Sequence, residues 1–197
     1  RFQAMREFNE LNEKWLLDFV PIDQPGEGSR SVLAAAIGPQ LVEQIQHVCQ
    51  TAGVRPRRLI LRPCAAASLL ARSRAGEPTQ LRLLVDLLSD EADLTVMIED
   101  RVIFLRTTRL GGDPLASPEQ AQVLLGEIRR TMAAAQNQLG GRRVDAVVLC
   151  GRGEQHAALA KLIEKDLDTS TDLFAPFGGL ALGVELARGL PESPGRF

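Results

Sequence analysis

Apolar residues in the first 75 positions recur at spacings that predict a small unit of three strands and two or three helices. Four apolar residues from Phe2 to Leu11 recur at every third position, which predicts a helix over residues 2–14. Pro39 suits the first turn of another helix because its missing N–H group costs nothing there, and Gly53 ends that helix. The predicted strands are residues 15–22, 31–37 and 58–61, and the remaining predicted helix is the alanine-rich stretch 63–71.

The pattern changes after residues 73–80, whose glycine, proline, serine and threonine predict a boundary between two units. Leu81–Leu87 is an almost continuous apolar run, which is typical of a strand buried on both faces. Two shorter runs follow and predict a hairpin beside it. Ser117 and Pro118 then begin a long helix, with the serine as its cap. The later predicted elements are strands at 94–98, 102–106, 144–149 and Leu173, and helices at 117–139, 154–167 and 178–188.

The predicted chain therefore has two units, residues 1–75 and residues 80–190, with a loose tail at 191–197. The second unit is a meander of three strands followed by alternating helices and strands. That order is typical of a ribonuclease-H-like sheet, and actins, sugar kinases and Hsp70-type chaperones each use two such halves. The predicted fold class is therefore α/β, a ribonuclease-H-like half with a small α+β unit beside it.

Composition narrows the function. The chain has 197 residues, 45% of them hydrophobic, which predicts a globular protein rather than a disordered one. Its three cysteines are widely spaced and do not form a disulfide framework, so they are predicted to be small buried residues in a reducing compartment. Only two histidines are present, His47 and His156. The chain has too few histidines and cysteines at suitable spacing to predict zinc-dependent hydrolysis or Cys–His catalysis, and no metal site is predicted.

Charge is distributed unevenly along the chain. Residues 53–84 carry seven arginines and one acidic residue, whereas residues 86–100 carry six acidic residues and no basic one. This asymmetry could mark a nucleic-acid face beside a carboxylate site, or simply solvated strand ends and helix faces. The formal net charge of −2 and the aromatic content of 4% argue against a dedicated nucleic-acid binder.

At this point the chain resembles the actin-like pilus assembly family called PilM, also known as competence protein A, a relative of the division protein FtsA. Three stretches carry the resemblance through their order and spacing. Leu84–Leu88 followed by Leu94–Val96 is similar to the family's second phosphate loop. Val102–Arg106 with Leu110–Gly112 is similar to the strand and double glycine that follow this loop in the family. Val147–Gly153 is similar to the family's adenosine motif. The first unit is similar to the family's small inserted subdomain, called 1C.

The resemblance implies an ATP site, but this sequence differs from the family at several positions of that site. The family's subdomain with the first phosphate loop has no counterpart here, and we expect it to lie upstream of Arg1. In the second phosphate loop Asp86 is retained, but Leu88 stands where the family has glycine and Ala92 where it has a hydroxyl residue. In the adenosine motif Gly151 and Gly153 remain, but arginine at position 152 interrupts the paired glycines. We expect no cofactor, with Mg-ATP binding possible only if the missing subdomain restores it.

The resemblance also implies a function, that of a degenerate, non-catalytic scaffold of a type IV pilus or a related secretion or competence machine. Such a protein would lie in the cytoplasm at the inner face of the bacterial inner membrane and bind the short cytoplasmic tail of an inner-membrane partner. The tail would lie near the small subdomain, held by a few apolar anchors. The candidate lining residues are Val32, Leu33 and Ile37, and the candidate electrostatic guides for the tail are Arg57, Arg58 and Arg62.

Two alternatives remain open. The chain could belong to an ATPase of the same fold, with Asp86 positioning Mg²⁺ and water while Gly151 and Gly153 admit adenosine. It could also be a ribonuclease-H-like nuclease that uses Asp86 with other carboxylates and two metal ions. The nuclease is the weaker alternative, because the acidic residues after Asp86 follow it in one turn rather than coming from separate elements.

Overall fold

The computed structural model describes residues 11–22, 32–73 and 80–176. Contacts within the chain divide it into two compact units, residues 1–60 and residues 61–197. Each unit is described by itself. In the described part of the chain, no helix is both long and apolar enough to cross a membrane.

The first unit contains an antiparallel hairpin and a helix. Strands β1 (Leu16–Pro21) and β2 (Val32–Ile37) pair along their whole length, from Leu16 opposite Ile37 to Pro21 opposite Val32. Helix α1 (Pro39–Thr51) follows at once, with Pro39 in its first turn as predicted. All side chains of α1 are described, and each is at least partly exposed. These three elements confirm the strands and the helix predicted for residues 15–52.

The predicted third strand at residues 58–61 is wrong, because the described segment from 54 to 61 has no regular structure. A strand needs a neighbour that receives its backbone hydrogen bonds, and β1 and β2 pair with each other instead. Apolar side chains in this segment are largely exposed, with Ile60 at 67%. The helix predicted over residues 2–14 lies mostly outside the described residues.

The second unit is built on a five-stranded sheet. Its order is β5-β4-β3-β6-β7, with the first three strands antiparallel and β6 and β7 parallel to β3. This confirms the predicted meander and the alternating helices and strands that follow it. The strands are β3 (Leu81–Leu87), β4 (Glu91–Ile98), β5 (Arg101–Arg109), β6 (Ala146–Cys150) and β7 (Thr171–Phe174), and the helices are α2 (Arg62–Ser73), α3 (Pro118–Gln138) and α4 (Glu154–Leu167).

Helix α2 packs on one face of this sheet. Its buried residues join one apolar cluster with side chains from β3, β4, β6 and β7. The cluster consists of Ala66, Ala67, Leu70, Leu84, Met97, Val148, Cys150 and Phe174. Since α2 packs there, it belongs to the second unit, which therefore begins near residue 61. The prediction placed this helix in the first unit, within residues 1–75, because sequence spacing alone does not show which sheet an alanine-rich helix covers.

Helices α3 and α4 cover the opposite face. Successive residues of a strand point to opposite faces, and in β5 Thr107 faces the α2 side while Arg106 pairs with Glu127 of α3 at 2.9 Å. Helix α4 lies beside α3, joined to it by an ion pair between Arg129 and Asp166. Ser117 caps α3 as predicted, accepting a hydrogen bond from the backbone N–H of Gln120. The helix predicted at 178–188 and the tail at 191–197 lie outside the described residues.

Candidate functional site

The retained aspartate of the phosphate-loop motif lies at the end of β3, directly opposite a second aspartate. Asp86 pairs in register with Asp93 of β4, so both side chains lie on the sheet face that α2 covers. The distance between opposed Cβ atoms in such a pair is about 5 Å. Asp86 is half-buried, and Asp93 is 1% exposed. Two carboxylates therefore lie close together in a largely dry environment.

Asp93 has partners for both of its oxygens. Its Oδ2 accepts a hydrogen bond from Nε of Arg62 at 2.7 Å and forms an ion pair with Nη2 of the same residue at 2.6 Å. Its Oδ1 accepts a hydrogen bond from the Thr107 hydroxyl at 2.6 Å. Arg62 comes from the first turn of α2 and Thr107 from β5. A buried carboxylate is stable only when it is paired and hydrogen-bonded, and these contacts meet that requirement.

Asp86 is less favourably placed. Burial raises the pKa of its carboxyl group, the negative charge of Asp93 raises it further, and Arg62 partly opposes the rise. On the neighbouring strand, burial and the charge of Asp86 raise the pKa of the Cys150 thiol, which stays protonated at neutral pH. Of the three cysteines predicted to be buried, Cys150 is buried, whereas Cys49 and Cys64 are only partly buried.

The turn after Asp86 closes on itself. The backbone N–H of Leu88 donates to the carbonyl of Glu91 at 2.8 Å, which leaves a tight turn of two residues. Among the described residues other than glycine, only Glu99 and Asp168 have positive φ, so Leu88 occupies ordinary backbone space. Ala92 is buried in register with Leu87, on the sheet face opposite to Asp86. The turn therefore neither requires glycine nor directs the side chain of residue 92 toward the carboxylates.

The glycine motif lies at the end of β6. Gly151 has a φ of +147°, and its N–H donates to the carbonyl of Phe174 at 2.8 Å. A Cβ on Gly151 would lie 1.8 Å from Cδ2 of His156, because the imidazole from the first turn of α4 packs against the bare Cα. Gly153 has a φ of +88° and precedes α4, while Arg152 between the glycines is exposed. The close approach of His156 explains Gly151 without any ligand.

The partner-binding candidates do not form one surface. Val32 points to one face of the β1–β2 hairpin, whereas Leu33 and Ile37 point to the other. Arg57 and Arg58 are exposed in the irregular segment that follows α1. Arg62 belongs to the second unit and pairs with Asp93. The structure therefore brings together only Leu33 and Ile37, beside the exposed Leu16 and Val20 of β1.

Comparison with solved structures gives the fold. No protein family profile matches the chain, and no curated protein is detectably similar to it in sequence. A chain of the PilM–PilN type IV pilus biogenesis complex superposes with a TM-score of 0.74 and 20% sequence identity, covering 93% of this chain and 63% of that one. This chain has an actin-like ATPase fold. The resemblance to PilM is thereby confirmed as a likeness of fold.

Two further structures are more distant. A Bacteroides thetaiotaomicron protein with an actin-like ATPase fold and unknown function superposes with a TM-score of 0.49 and 11% identity, over 89% of this chain and 59% of its own. The ethanolamine utilization protein EutJ from Carboxydothermus hydrogenoformans gives 0.46 and 16%, over 76% of this chain and 57% of its own. This chain thus spans less than two thirds of the length of each of the three structures.

The described residues do not fit the Mg-nucleotide that an actin-like ATPase fold implies. Both oxygens of Asp93 are bonded within the chain, the Leu88 N–H is bonded to Glu91, and His156 lies over Gly151. In the described part of the chain, no group of three or more His, Cys, Asp or Glu side chains could hold a metal ion. We therefore derive no nucleotide chemistry from this site.

Sequence reasoning did not find Thr107 or His156, and it gave Arg62 a different role. Arg62 could have been suspected from the amphipathic start of an alanine-rich helix, but its partner could not. Thr107 meets Asp93 only because the β4–β5 pairing shifts register between Val96 and Met97.

Proposed function

We propose that this chain belongs to a non-catalytic actin-like scaffold of a type IV pilus or a related secretion or competence machine. In this proposal it binds the cytoplasmic tail of an inner-membrane assembly protein, and that partner holds it in the cytoplasm at the inner face of the membrane. The likeness of fold to a chain of the PilM–PilN type IV pilus biogenesis complex carries the proposal, because it extends over 93% of this chain. No nucleic-acid partner is included, since the net charge is −2.

The non-catalytic part of the proposal is supported by the contacts of Asp86 and Leu88 at the end of β3. A phosphate-binding turn offers free backbone N–H groups to the anion, and an actin-like ATPase needs a carboxylate that can reach a hydrated Mg²⁺. Here Leu88 uses its N–H in the turn, and burial together with the charge of Asp93 raises the pKa of Asp86, which disfavours its ionised form. Each group expected to serve a ligand is engaged or disfavoured within the chain.

The partner-binding part is supported by one face of the hairpin. Leu16, Val20, Leu33 and Ile37 are paired across β1 and β2 and point to the same side. Leu16 and Val20 are 54% and 58% exposed, so this side of the hairpin presents large apolar side chains to solvent. A short apolar tail can dock on such a face with two or three anchors. Arg57 and Arg58 remain candidates for electrostatic guidance.

The tail-binding test uses two matched variants. Val20→Ser and Phe19→Ser change adjacent, similarly exposed residues, at 58% and 61%, that point to opposite faces of the hairpin. The probe is a set of fluorescent peptides that copy the cytoplasmic tails of single-pass membrane proteins encoded beside this gene. We expect one peptide to bind, Val20→Ser to weaken it by roughly tenfold, as an interface anchor does, and Phe19→Ser to leave it unchanged. Equal losses in both variants, or no binding peptide, would argue against the proposed face.

An ATP-binding protein of the same assembly is the second candidate, favoured by the retention of Asp86 at the end of β3. Its test is a titration of the full-length protein with a fluorescent ATP analogue, with and without Mg²⁺. The scaffold proposal expects no saturable, Mg²⁺-dependent signal. Micromolar binding that disappears in Asp86→Ala would establish the ATP-binding candidate instead.

A further inference from the structure

The second unit contains a cation of its own beside the two carboxylates. Arg62 contacts one oxygen of Asp93 through a hydrogen bond from Nε at 2.7 Å and an ion pair from Nη2 at 2.6 Å, while 46% of its side chain remains exposed. Its guanidinium therefore reaches from the solvent edge of α2 into the region where Asp86 and Asp93 oppose each other. The planar guanidinium is always charged and presents several donors in fixed directions, which suits a buried carboxylate better than an ammonium group does.

The charges around this pair can be counted element by element. Strand β3 contributes Asp86, β4 contributes Asp93, and α2 contributes Arg62. Strand β5 contributes the neutral hydroxyl of Thr107, and β6 contributes the Cys150 thiol, which is neutral because its pKa is raised. Glu91, the first residue of β4, lies on the same face as Asp93 and pairs with the exposed Arg109 at 3.4 Å. Arg62 is therefore the cation that faces the two carboxylates among the described residues.

We propose that Arg62 is a built-in counter-ion that occupies the role a divalent cation would play beside Asp86 and Asp93, and thereby makes this end of the sheet independent of metal. Opposed carboxylates with a nearby hydroxyl are oxygen ligands of the kind that hard divalent cations prefer. A guanidinium hydrogen-bonded to Asp93 supplies positive charge at the same place and also fixes α2 to the sheet. An actin-like ATPase fold implies a bound Mg²⁺, which this site does not fit. In this proposal the Arg62 side chain is the physical cause of that difference.

The test asks whether removal of Arg62 creates a metal site. Free Mn²⁺ is measured by electron paramagnetic resonance while the wild-type chain, Arg62→Met, Arg62→Lys and Arg62→Met/Asp86→Asn are titrated. Arg62→Met keeps the length of the side chain and removes the charge. We expect Arg62→Met to bind one Mn²⁺ at least roughly tenfold more tightly than the wild-type chain. Arg62→Lys keeps a positive charge and is expected to resemble the wild type, and the double variant is expected to lose the added affinity.

A second arginine provides the matched control. Arg109→Met also removes a guanidinium from beside a carboxylate, but Arg109 is 86% exposed and its partner Glu91 is 34% exposed, so water compensates the change. We expect no gain in Mn²⁺ affinity in this variant. An equal gain in Arg109→Met, or a gain in Arg62→Met that persists without Asp86, would overturn the proposal, because ordinary surface charge would then explain it.

Folding provides an independent measurement, because Arg62→Met leaves Asp93 buried without its cation. If this variant is unfolded in metal-free buffer, the proposal expects Mn²⁺ to restore its circular dichroism spectrum. Arg62→Met/Asp93→Asn removes both charges and is expected to fold without Mn²⁺. Failure of Mn²⁺ to restore Arg62→Met while the double variant folds would refute the proposed equivalence between guanidinium and metal.

Discussion

Replacement of Gly151 by alanine tests whether His156, rather than a ligand, uses the bare face of this glycine. The new Cβ would meet the imidazole at 1.8 Å from Cδ2, 2.3 Å from Nε2 and 2.5 Å from Cγ. Contacts this short do not occur in folded proteins, so the ring must leave its position or the end of β6 must shift. The backbone is a second obstacle, since a φ of +147° is unfavourable for any residue with a Cβ.

The two effects can be estimated separately. Backbone strain for a residue other than glycine in a sparsely populated region costs about 1–3 kcal/mol. Overpacking of a well-filled site costs about 1–3 kcal/mol more. The free energy of unfolding should therefore fall by about 2–6 kcal/mol, and the N–H of residue 151 can still donate to Phe174. This is a large fraction of the stability of a typical domain, which is about 5–15 kcal/mol.

Gly153 separates the two effects, because it also has positive φ, at +88°, but a Cβ there would meet nothing within 4 Å. We expect Gly153→Ala to show the strain alone, about 1–3 kcal/mol. In Gly151→Ala/His156→Ala the overlap disappears, so the cost measured relative to His156→Ala should equal that of the Gly153 variant. Urea denaturation followed by circular dichroism gives each value from the midpoint at a constant slope. If Gly151→Ala costs no more than Gly153→Ala, or if removal of the imidazole gives no recovery, His156 does not fill this space.

Substitutions at three other residues probe the polar contacts of the second unit. Thr107→Val leaves one oxygen of Asp93 without its donor and should lower the free energy of unfolding in urea by about 1–3 kcal/mol, whereas Thr107→Ser should restore most of it. The Arg130 hydrogen bond lowers the pKa of Glu127, so its stabilisation is complete above the ordinary glutamate pKa and lost as pH falls through the lowered value; Glu127→Gln should remove that part of the pH dependence in thermal melts. Burial raises the pKa of Asp86, so its ionisation costs stability as pH rises through the ordinary aspartate value to the raised one. Asp86→Asn should therefore melt at a higher temperature than the wild type at neutral pH and match it in acid; equal melting temperatures at both would contradict the assigned burial effect.

The sheet of the second unit could be predicted because its signals are local and agree with each other. Leu81–Leu87 is apolar at five of its seven positions, and its first five residues are buried, as expected for a central strand. Ser117 and Pro118 fix the start of α3 through capping and through the geometry of proline in a first turn. Such features depend on neighbours in sequence, so a single chain contains the information needed to find them.

The carboxylate site could not be predicted because it depends on a register shift. If β4 and β5 paired without irregularity from the turn at Glu99, Asp93 would lie opposite Arg106. The shift between Val96 and Met97 places Thr107 there instead and sends Arg106 to the opposite face, where it meets Glu127. One extra residue in a strand reverses every side chain beyond it, and no local signal in this sequence marks the position.

The sequence also could not predict which of the two units contains α2. Its alanines and Leu70 are apolar enough to cover either sheet, so spacing assigned the helix to the nearer strands of the first unit. The contact that decides is Arg62 with Asp93, which joins positions 31 residues apart in the chain. A misplaced α2 also explains why Arg62 was grouped with Arg57 and Arg58 as a guide for a partner.

The contacts at the strand ends indicate that groups of this chain have replaced the ligand, rather than that the site has only lost its ability to bind one. In a site that has only lost its ligand, polar groups would remain unpaired or exposed to water, because nothing replaces the missing partner. Here the Leu88 N–H, the bare Cα of Gly151 and both oxygens of Asp93 each have a partner from the same chain. A nucleotide would have to displace all of these contacts at once, and the energy lost in doing so would oppose its binding. Leu88→Gly would leave the backbone N–H of residue 88 bonded to Glu91, so restoring that glycine alone would not free any of these groups for a nucleotide.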